Sequence, residues 1–117
     1  MKIKIISFIL IAAAVFSAFL YIRSDIASKG EVREWVDSGA LIVDVRTPEE
    51  FAVARFDGAI NIPLSELDQN LQIFGDKDMK IIVYCRTGNR SGQAKKLLNN
   101  NGFKNVINGG GLSDMVK

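Results

Sequence analysis

The sequence predicts an α/β fold in which a parallel sheet carries helices on both faces and an N-terminal transmembrane helix precedes it. Short, almost continuous apolar runs alternate with segments of helical periodicity after residue 23. Such runs are typical of strands buried on both faces of a parallel sheet, and regular strand and helix alternation favours this class. The chain has 117 residues, which leaves room for one domain with one core.

The N-terminal segment is a candidate membrane helix. Residues 5–22 are 18 consecutive uncharged residues, and as a helix they extend about 27 Å, enough to span a bilayer. Lys2 and Lys4 precede the run and favour a cytoplasmic N-terminus, with the rest of the chain in the periplasm or another extracytoplasmic space. A signal peptide would instead end in a pair of small residues before its cleavage site, and none fits well. We therefore interpret residues 1–23 as an anchor in the inner membrane, the alternative being a cleaved signal and secretion to the periplasm, and residues 24–117 as the folded domain.

Composition excludes several function classes. The chain contains no histidine and one cysteine, which excludes histidine-based catalysis, intrachain disulfides and a Cys/His zinc site. It has 15 basic and 13 acidic residues, and Lys2 and Lys4 account for the excess of two. The remaining chain is therefore neutral and offers no basic tract for nucleic acid.

The domain is predicted to open with a helix near residues 30–38, after a polar connector. Its Val32, Trp35 and Val36 share one face, which indicates core packing rather than ligand stacking. The predicted strands are residues 41–45, 59–62, 80–85 and 105–107. Helices are predicted between them at residues 48–54, 64–74 and 91–100.

Local signals fix the start of the second helix. Thr47 suits the N-cap, Pro48 the first helical position, and Glu50 the acidic position of a capping box. Arg46 is expected to form a buried pair with Glu49 or Glu50, rather than to act in catalysis.

The loop after the 80–85 strand is the strongest functional signal. Cys85 ends that strand, and the segment that follows opens directly into a helix. Backbone N–H groups at a helix start, the flexible Gly88, and the cationic Arg86 and Arg90 together predict an anion-binding loop. The same features lower a thiol pKa, so Cys85 is predicted to be a nucleophile. The predicted binding residues are Arg86, Thr87, Gly88, Asn89, Arg90 and Ser91.

Several segments resemble single-domain rhodanese-like sulfurtransferases. The similar segments, which together span residues 28–117 in order, are residues 41–51, 58–63, 83–91, 102–106 and 108–110. The resemblance implies a rhodanese-like sheet of about five strands and sulfur transfer through a persulfide on Cys85. It implies a small anionic sulfur donor such as thiosulfate and a thiophilic acceptor, with no cofactor or metal. A protein partner is not indicated.

Two positions depart from that family. Ala54 and Arg55 stand where a Gly-His pair is usual, which implies altered packing or entrance charge. Met115 stands where a tryptophan is usual, which implies a weaker last helix.

Alternative functions remain open. A non-enzymatic module of the same fold could bind or carry sulfur for a membrane partner. Cysteine phosphatases and arsenate reductases also use a Cys-loop-Arg site. Phosphatase loops have one residue more than the four that separate Cys85 from Arg90 here, so the loop favours a single sulfur over a tetrahedral oxyanion.

Overall fold

A computed structural model describes residues 2–115, and for residues 22–24 it describes the helical backbone alone. Helix α1, Lys2–Ser24, contains a stretch, Lys2–Tyr21, that is long and apolar enough to cross a membrane, with a mean hydropathy of 2.5 and none of it buried. A signal sequence would pass the same test of length and composition. Residue 1 of the predicted anchor and residues 116–117 of the predicted domain lie outside the described residues.

Within residues 2–115 the sheet has four parallel strands in the order β2-β1-β3-β4, with bounds β1 Leu41–Asp44, β2 Ile60–Asn61, β3 Ile81–Cys85 and β4 Val106–Gly111. The predicted number of about five strands is therefore wrong. The fifth position is reduced to a single parallel bridge between Ile26 and Asn108. Only three residues separate α1 from Ser28, which already caps the next helix, so the chain turns away after one pairing.

Helices cover both faces of the sheet, as predicted. Helix α2, Lys29–Asp37, packs on one face, where Val32 is buried with Ile82 and Tyr84. Helix α5, Asn89–Asn100, packs on the other face, where Leu98 joins Val83. Alternate residues of β3 thus enter different halves of the core, which is why its run is apolar throughout.

The capping box at the start of α3, Pro48–Val53, is confirmed. The Thr47 hydroxyl accepts a hydrogen bond from the Glu50 amide, and the Glu50 carboxylate accepts one from the Thr47 amide, both at 3.2 Å. These two bonds satisfy backbone donors that a short helix otherwise leaves free. The helix follows β1 directly, which brings Glu50 close to the carboxyl end of the sheet.

The continuous helix predicted at residues 64–74 is wrong. Helix α4 is a single turn, Leu64–Leu67, followed by a 3₁₀ segment, Asp68–Ile73. Asn70 breaks the helical conformation, and its side chain donates to the Glu66 carbonyl at 2.7 Å. An asparagine that bonds to the backbone in this way competes with helical hydrogen bonding.

Strand β4 continues past the predicted residues 105–107 through a run of three glycines. Val83 pairs with Asn108 and Cys85 with Gly111, so β4 holds one extra residue over this stretch. Gly110 has a φ of +85°, a backbone conformation that glycine adopts without strain. This bulge brings β4 against the start of the cysteine loop. Beyond it lies a 3₁₀ turn, Leu112–Asp114, and Met115 is buried against the Ile107 face of the core.

Candidate active site

Cys85 lies at the carboxyl end of the central strand β3, and its side chain is fully buried. The Gly88 amide donates a hydrogen bond to its Sγ at 3.0 Å, and the Ser91 Oγ lies 3.3 Å from the same sulfur. Gly88 has a φ of +97° and immediately precedes α5. This left-handed turn aims the loop amide back toward the thiol, an arrangement that an L side chain at position 88 would strain.

The pKa of Cys85 is lowered from its ordinary value. Burial of the thiol acts to raise the pKa, since it disfavours the charged form. Hydrogen bonds from the Ser91 hydroxyl and from the backbone amides of Ser91, Thr87 and Gly88 act in the opposite direction and together outweigh burial. The neutral donors of the loop and the first turn of α5 thus favour a thiolate.

Asn108 on β4 holds the other side of Ser91, and sequence analysis did not identify it as a site residue. The Ser91 hydroxyl donates to the Asn108 Oδ1 at 2.7 Å, which also accepts from the Gly110 amide at 2.9 Å. The Asn108 Nδ2 donates to the Gly88 carbonyl at 2.9 Å. The one signal in the sequence was that a polar residue directly follows the apolar pair Val106 and Ile107. In the structure Asn108 is buried, as are these two neighbours.

The predicted pairing of Arg46 with Glu49 or Glu50 is wrong. Arg46 is buried as expected, but it pairs with Asp44, from Nη2 to Oδ2 at 2.6 Å. The two residues are separated by one position at the end of β1, and the Arg46 Nη2 also donates to the Ala54 carbonyl at 2.6 Å. Hydrogen bonding to Asp44 raises the pKa of Arg46. The sequence favoured the acidic residues of α3 because they follow Arg46 closely. It does not show that the Asp44 carboxylate, at the end of the same strand, lies within bonding distance of the Arg46 guanidinium.

Glu50 instead pairs with Arg90, which joins α3 to the first turn of α5. The contact is bidentate, with Arg90 Nη1 and Nη2 at 2.7 and 3.0 Å from the two carboxylate oxygens. These bonds lower the pKa of Glu50 to about 2 and raise that of Arg90. Two ends of helices that are forty residues apart in sequence are thereby fixed beside the cysteine loop.

The remaining predicted site residues lie at the surface of the loop. Arg86, Thr87 and Asn89 are exposed, whereas Gly88 and Ser91 are buried. Arg86 makes no ion pair within residues 2–115. It borders an open groove of about 1290 Å³, whose wall also includes Arg55, Phe56 and Leu112. The structure therefore brings Cys85, Gly88 and Ser91 together, while Arg86 lies along the groove.

Comparison with known proteins agrees with this arrangement. Residues 28–115 match the rhodanese-like domain family. The chain belongs to the rhodanese-like domain family. It is 43% identical over 75 residues to the thiosulfate sulfurtransferase PspE of Escherichia coli, covering 63% of this chain and 72% of PspE.

Two solved structures of rhodanese-like proteins have the same fold. One is a rhodanese with anions from E. coli, 40% identical, with a TM-score of 0.64 over 67% of this chain and 93% of that one. The other is the human single-domain sulfurtransferase TSTD1, 31% identical, with a TM-score of 0.66 over 72% of this chain and 87% of that one. The rhodanese-like chain described here is accordingly a sulfurtransferase of the rhodanese type.

Proposed function

We propose that this rhodanese-like chain transfers a sulfane sulfur from thiosulfate, or a similar anionic donor, to a thiophilic acceptor through a persulfide on Cys85. The Cys85 thiolate attacks the outer sulfur of the donor, forming a new S–S bond. The S–S bond of thiosulfate breaks, and sulfite leaves with the bonding electron pair. An acceptor thiolate or cyanide then takes the outer sulfur and regenerates the Cys85 thiolate.

The observation that carries the proposal is the hydrogen bonding of the Cys85 sulfur. The Gly88 amide and the Ser91 hydroxyl both reach Sγ, and the pKa of the thiol is lowered despite burial. A thiolate is therefore available without a general base, in a chain that has no histidine. The leaving group is already an anion, so no acid is needed to protonate it.

We assign different tasks to the two arginines of the loop. Arg86 is exposed and makes no ion pair within residues 2–115, so it attracts and binds the anionic donor. Arg90 contributes its charge at the start of α5 while Glu50 fixes its position. Amides of the segment from Thr87 to Ser91 stabilise the persulfide anion.

We also propose that residues 1–23 anchor the protein in the inner membrane and that residues 24–117 form the catalytic domain on the extracytoplasmic side. The support is the basic N-terminus, together with the apolar Lys2–Tyr21 stretch, none of which is buried against the domain. An apolar helix that is exposed along its length requires an apolar environment.

Turnover by the full chain in detergent micelles tests the function. We expect thiocyanate from thiosulfate and cyanide, and a mass increase of about 32 Da, one sulfur, after thiosulfate alone. The Cys85→Ser variant should show neither, since a hydroxyl is a poor nucleophile at neutral pH. Persulfide without thiocyanate would indicate the sulfur carrier, and release of phosphate from para-nitrophenyl phosphate would indicate the phosphatase. An undiminished sulfur adduct on Cys85→Ser would refute the mechanism.

A further inference from the structure

Residues 25–27, which lie between α1 and Ser28, the N-cap of α2, pack directly against the residues that support the cysteine loop; we call them the junction segment. Ile26 forms the single bridge to Asn108, and the Ala27 amide donates to the Asn108 carbonyl at 2.8 Å. The segment precedes residues 28–115, which match the rhodanese-like domain.

Asp25 completes the hydrogen bonding of the Asn108 side chain. Its Oδ2 accepts from the Asn108 Nδ2 at 3.3 Å, and its Oδ1 pairs with Lys95 on α5 at 3.1 Å. With the Gly88 carbonyl on Nδ2, and Ser91 and Gly110 on Oδ1, the Asn108 amide uses all four of its bonds. A rotated amide would face the Gly88 carbonyl, the Asp25 carboxylate and the Gly110 amide with a group of the wrong kind, so the orientation is fixed.

Ile26 closes the space behind Gly88. A methyl group placed on Gly88 would lie 2.8 Å from the Ile26 Cδ1, and one on Gly110 would lie 3.0 Å from the Ile26 Cγ2. Atoms at these separations leave no gap, so the isoleucine side chain fills the space behind the turn. Gly88 is the residue whose amide donates to the Cys85 sulfur. Loss of the isoleucine side chain would leave a cavity behind the Gly88 turn and would allow that amide to shift away from the sulfur.

The Ser91 hydroxyl has one proton and two acceptors within reach. When Cys85 is a thiol, its S–H donates to the Ser91 oxygen and the Ser91 proton lies on Asn108. When Cys85 is a thiolate, the Ser91 proton turns to the sulfur. In both states, by contrast, the Asn108 Nδ2 holds the Gly88 carbonyl, and Asp25 sets the position of Asn108.

We propose that the junction segment is part of the active site and that Asp25 and Ile26 are positioning residues. Asp25 acts through Asn108, and Ile26 acts by direct packing, so that both hold the Gly88 turn whose amide donates to Cys85. The inference rests on the proposed role of Cys85 as the nucleophile. It makes the reactivity of Cys85 depend on the residues that immediately follow the apolar helix.

The test measures alkylation of the full chain by iodoacetamide as a function of pH in detergent micelles. Because Cys85 is the sole cysteine, the midpoint of the profile reports its pKa, while the plateau reports access to the buried sulfur. For Ile26→Ala and Asp25→Ala we expect the midpoint to rise by about half a unit to one unit, a threefold to tenfold loss of thiolate below the midpoint. The neighbouring charged pairs, Arg90 with Glu50 and Arg46 with Asp44, are unchanged in every variant.

Matched variants separate positioning from loss of stability and from charge. Ile60→Ala truncates a half-buried isoleucine at the opposite edge of the sheet and should lower the melting temperature without moving the midpoint. Asp25→Asn keeps an oxygen for Asn108 and should restore most of the wild-type profile. Removal of a nearby carboxylate by charge alone would lower the midpoint, because a negative charge opposes the thiolate.

The proposal is overturned if Ile26→Ala and Asp25→Ala keep the wild-type midpoint, lower it, or move it no more than Ile60→Ala does. Ile26→Val serves as a milder variant should the alanine fail to fold, with a smaller rise expected and an unchanged midpoint counting against the proposal. Alkylation needs no sulfur donor or acceptor. Failure of thiosulfate turnover in the wild type would therefore count against the proposed function and leave this test intact.

Discussion

Substitution of Ser91 by alanine should make Cys85 a weaker acid by about one pKa unit. The variant removes a hydroxyl that lies 3.3 Å from the Cys85 sulfur, and both side chains are fully buried. A hydrogen bond to a charged group contributes about 1.5 to 3 kcal/mol. The separation is long, and the hydroxyl also has Asn108 as an acceptor at 2.7 Å, so the lower value applies. About 1.5 kcal/mol corresponds to roughly one pKa unit and a tenfold loss of thiolate below the midpoint.

The assay follows the rate of Cys85 alkylation across the pH range, together with sulfur transfer at one neutral pH. Ser91→Ala should shift the alkylation midpoint upward and leave the plateau at high pH close to that of the wild type, since the thiolate forms there without help. Transfer from thiosulfate should fall by about tenfold at a pH below both midpoints. Ser65→Ala, on the exposed surface of α4, is the matched control and should alter neither quantity.

A midpoint that stays in place or moves downward in Ser91→Ala would refute the reasoning. It would mean that the backbone amides of the loop stabilise the thiolate without the hydroxyl. A lower plateau with an unchanged midpoint would refute it as well, since it would show that Ser91 governs access rather than acidity.

Three further variants test other contacts. Glu50→Gln keeps the capping box but loses the charge that faces Arg90. Because the pKa of Glu50 is lowered to about 2, the contribution of this charge to the free energy of unfolding is present above pH 4.5 and is lost as the pH falls toward 2. Since both side chains are about a third exposed, we expect a loss of about 1 kcal/mol in urea unfolding at pH 7 that shrinks by pH 3, and an equal loss at both would contradict the pairing. Gly111→Ala places a methyl group onto the Arg86 carbonyl and should cost about 1 to 3 kcal/mol in thermal unfolding; a wild-type melting temperature would refute this contact. Arg86→Ala should raise the KM for thiosulfate by about threefold to tenfold and leave kcat nearly unchanged, as loss of binding to an exposed cation requires; a fall in kcat alone would contradict the assignment.

Much of the fold could be predicted because its signals are local. The β3 run is apolar at every position, so its strand could be placed to within one residue. Thr47, Pro48 and Glu50 specify a helix start within four residues, and the capping box formed as expected. The extension of β4 to Gly111 was not predicted because a run of glycines is typical of a loop. In the structure those glycines give β4 its bulge and its close approach to the Arg86 carbonyl.

The position of Cys85 and its loop could also be predicted, whereas the groups that support the loop could not. Asp25 and Asn108 are separated by 83 positions, and Arg90 and Glu50 by 40. Nothing in the local sequence of Glu50 indicates that one carboxylate both caps α3 and holds Arg90. Such pairs arise because a parallel sheet brings the carboxyl ends of all its strands to the same end of the sheet. Only the fold decides which side chains meet there.

The pairing of charges around the site determines how an anionic donor is recognised. Arg46 and Arg90 each have a carboxylate partner, so their positive charge is largely matched within the protein. The thiolate itself receives neutral donors, an amide and a hydroxyl, which stabilise it without a strongly bound cation at the sulfur. Arg86, exposed and without an ion pair within residues 2–115, is then the guanidinium of the loop that remains open to the donor. Donor affinity should therefore depend on Arg86 and on ionic strength, whereas thiol acidity should depend on Gly88 and Ser91.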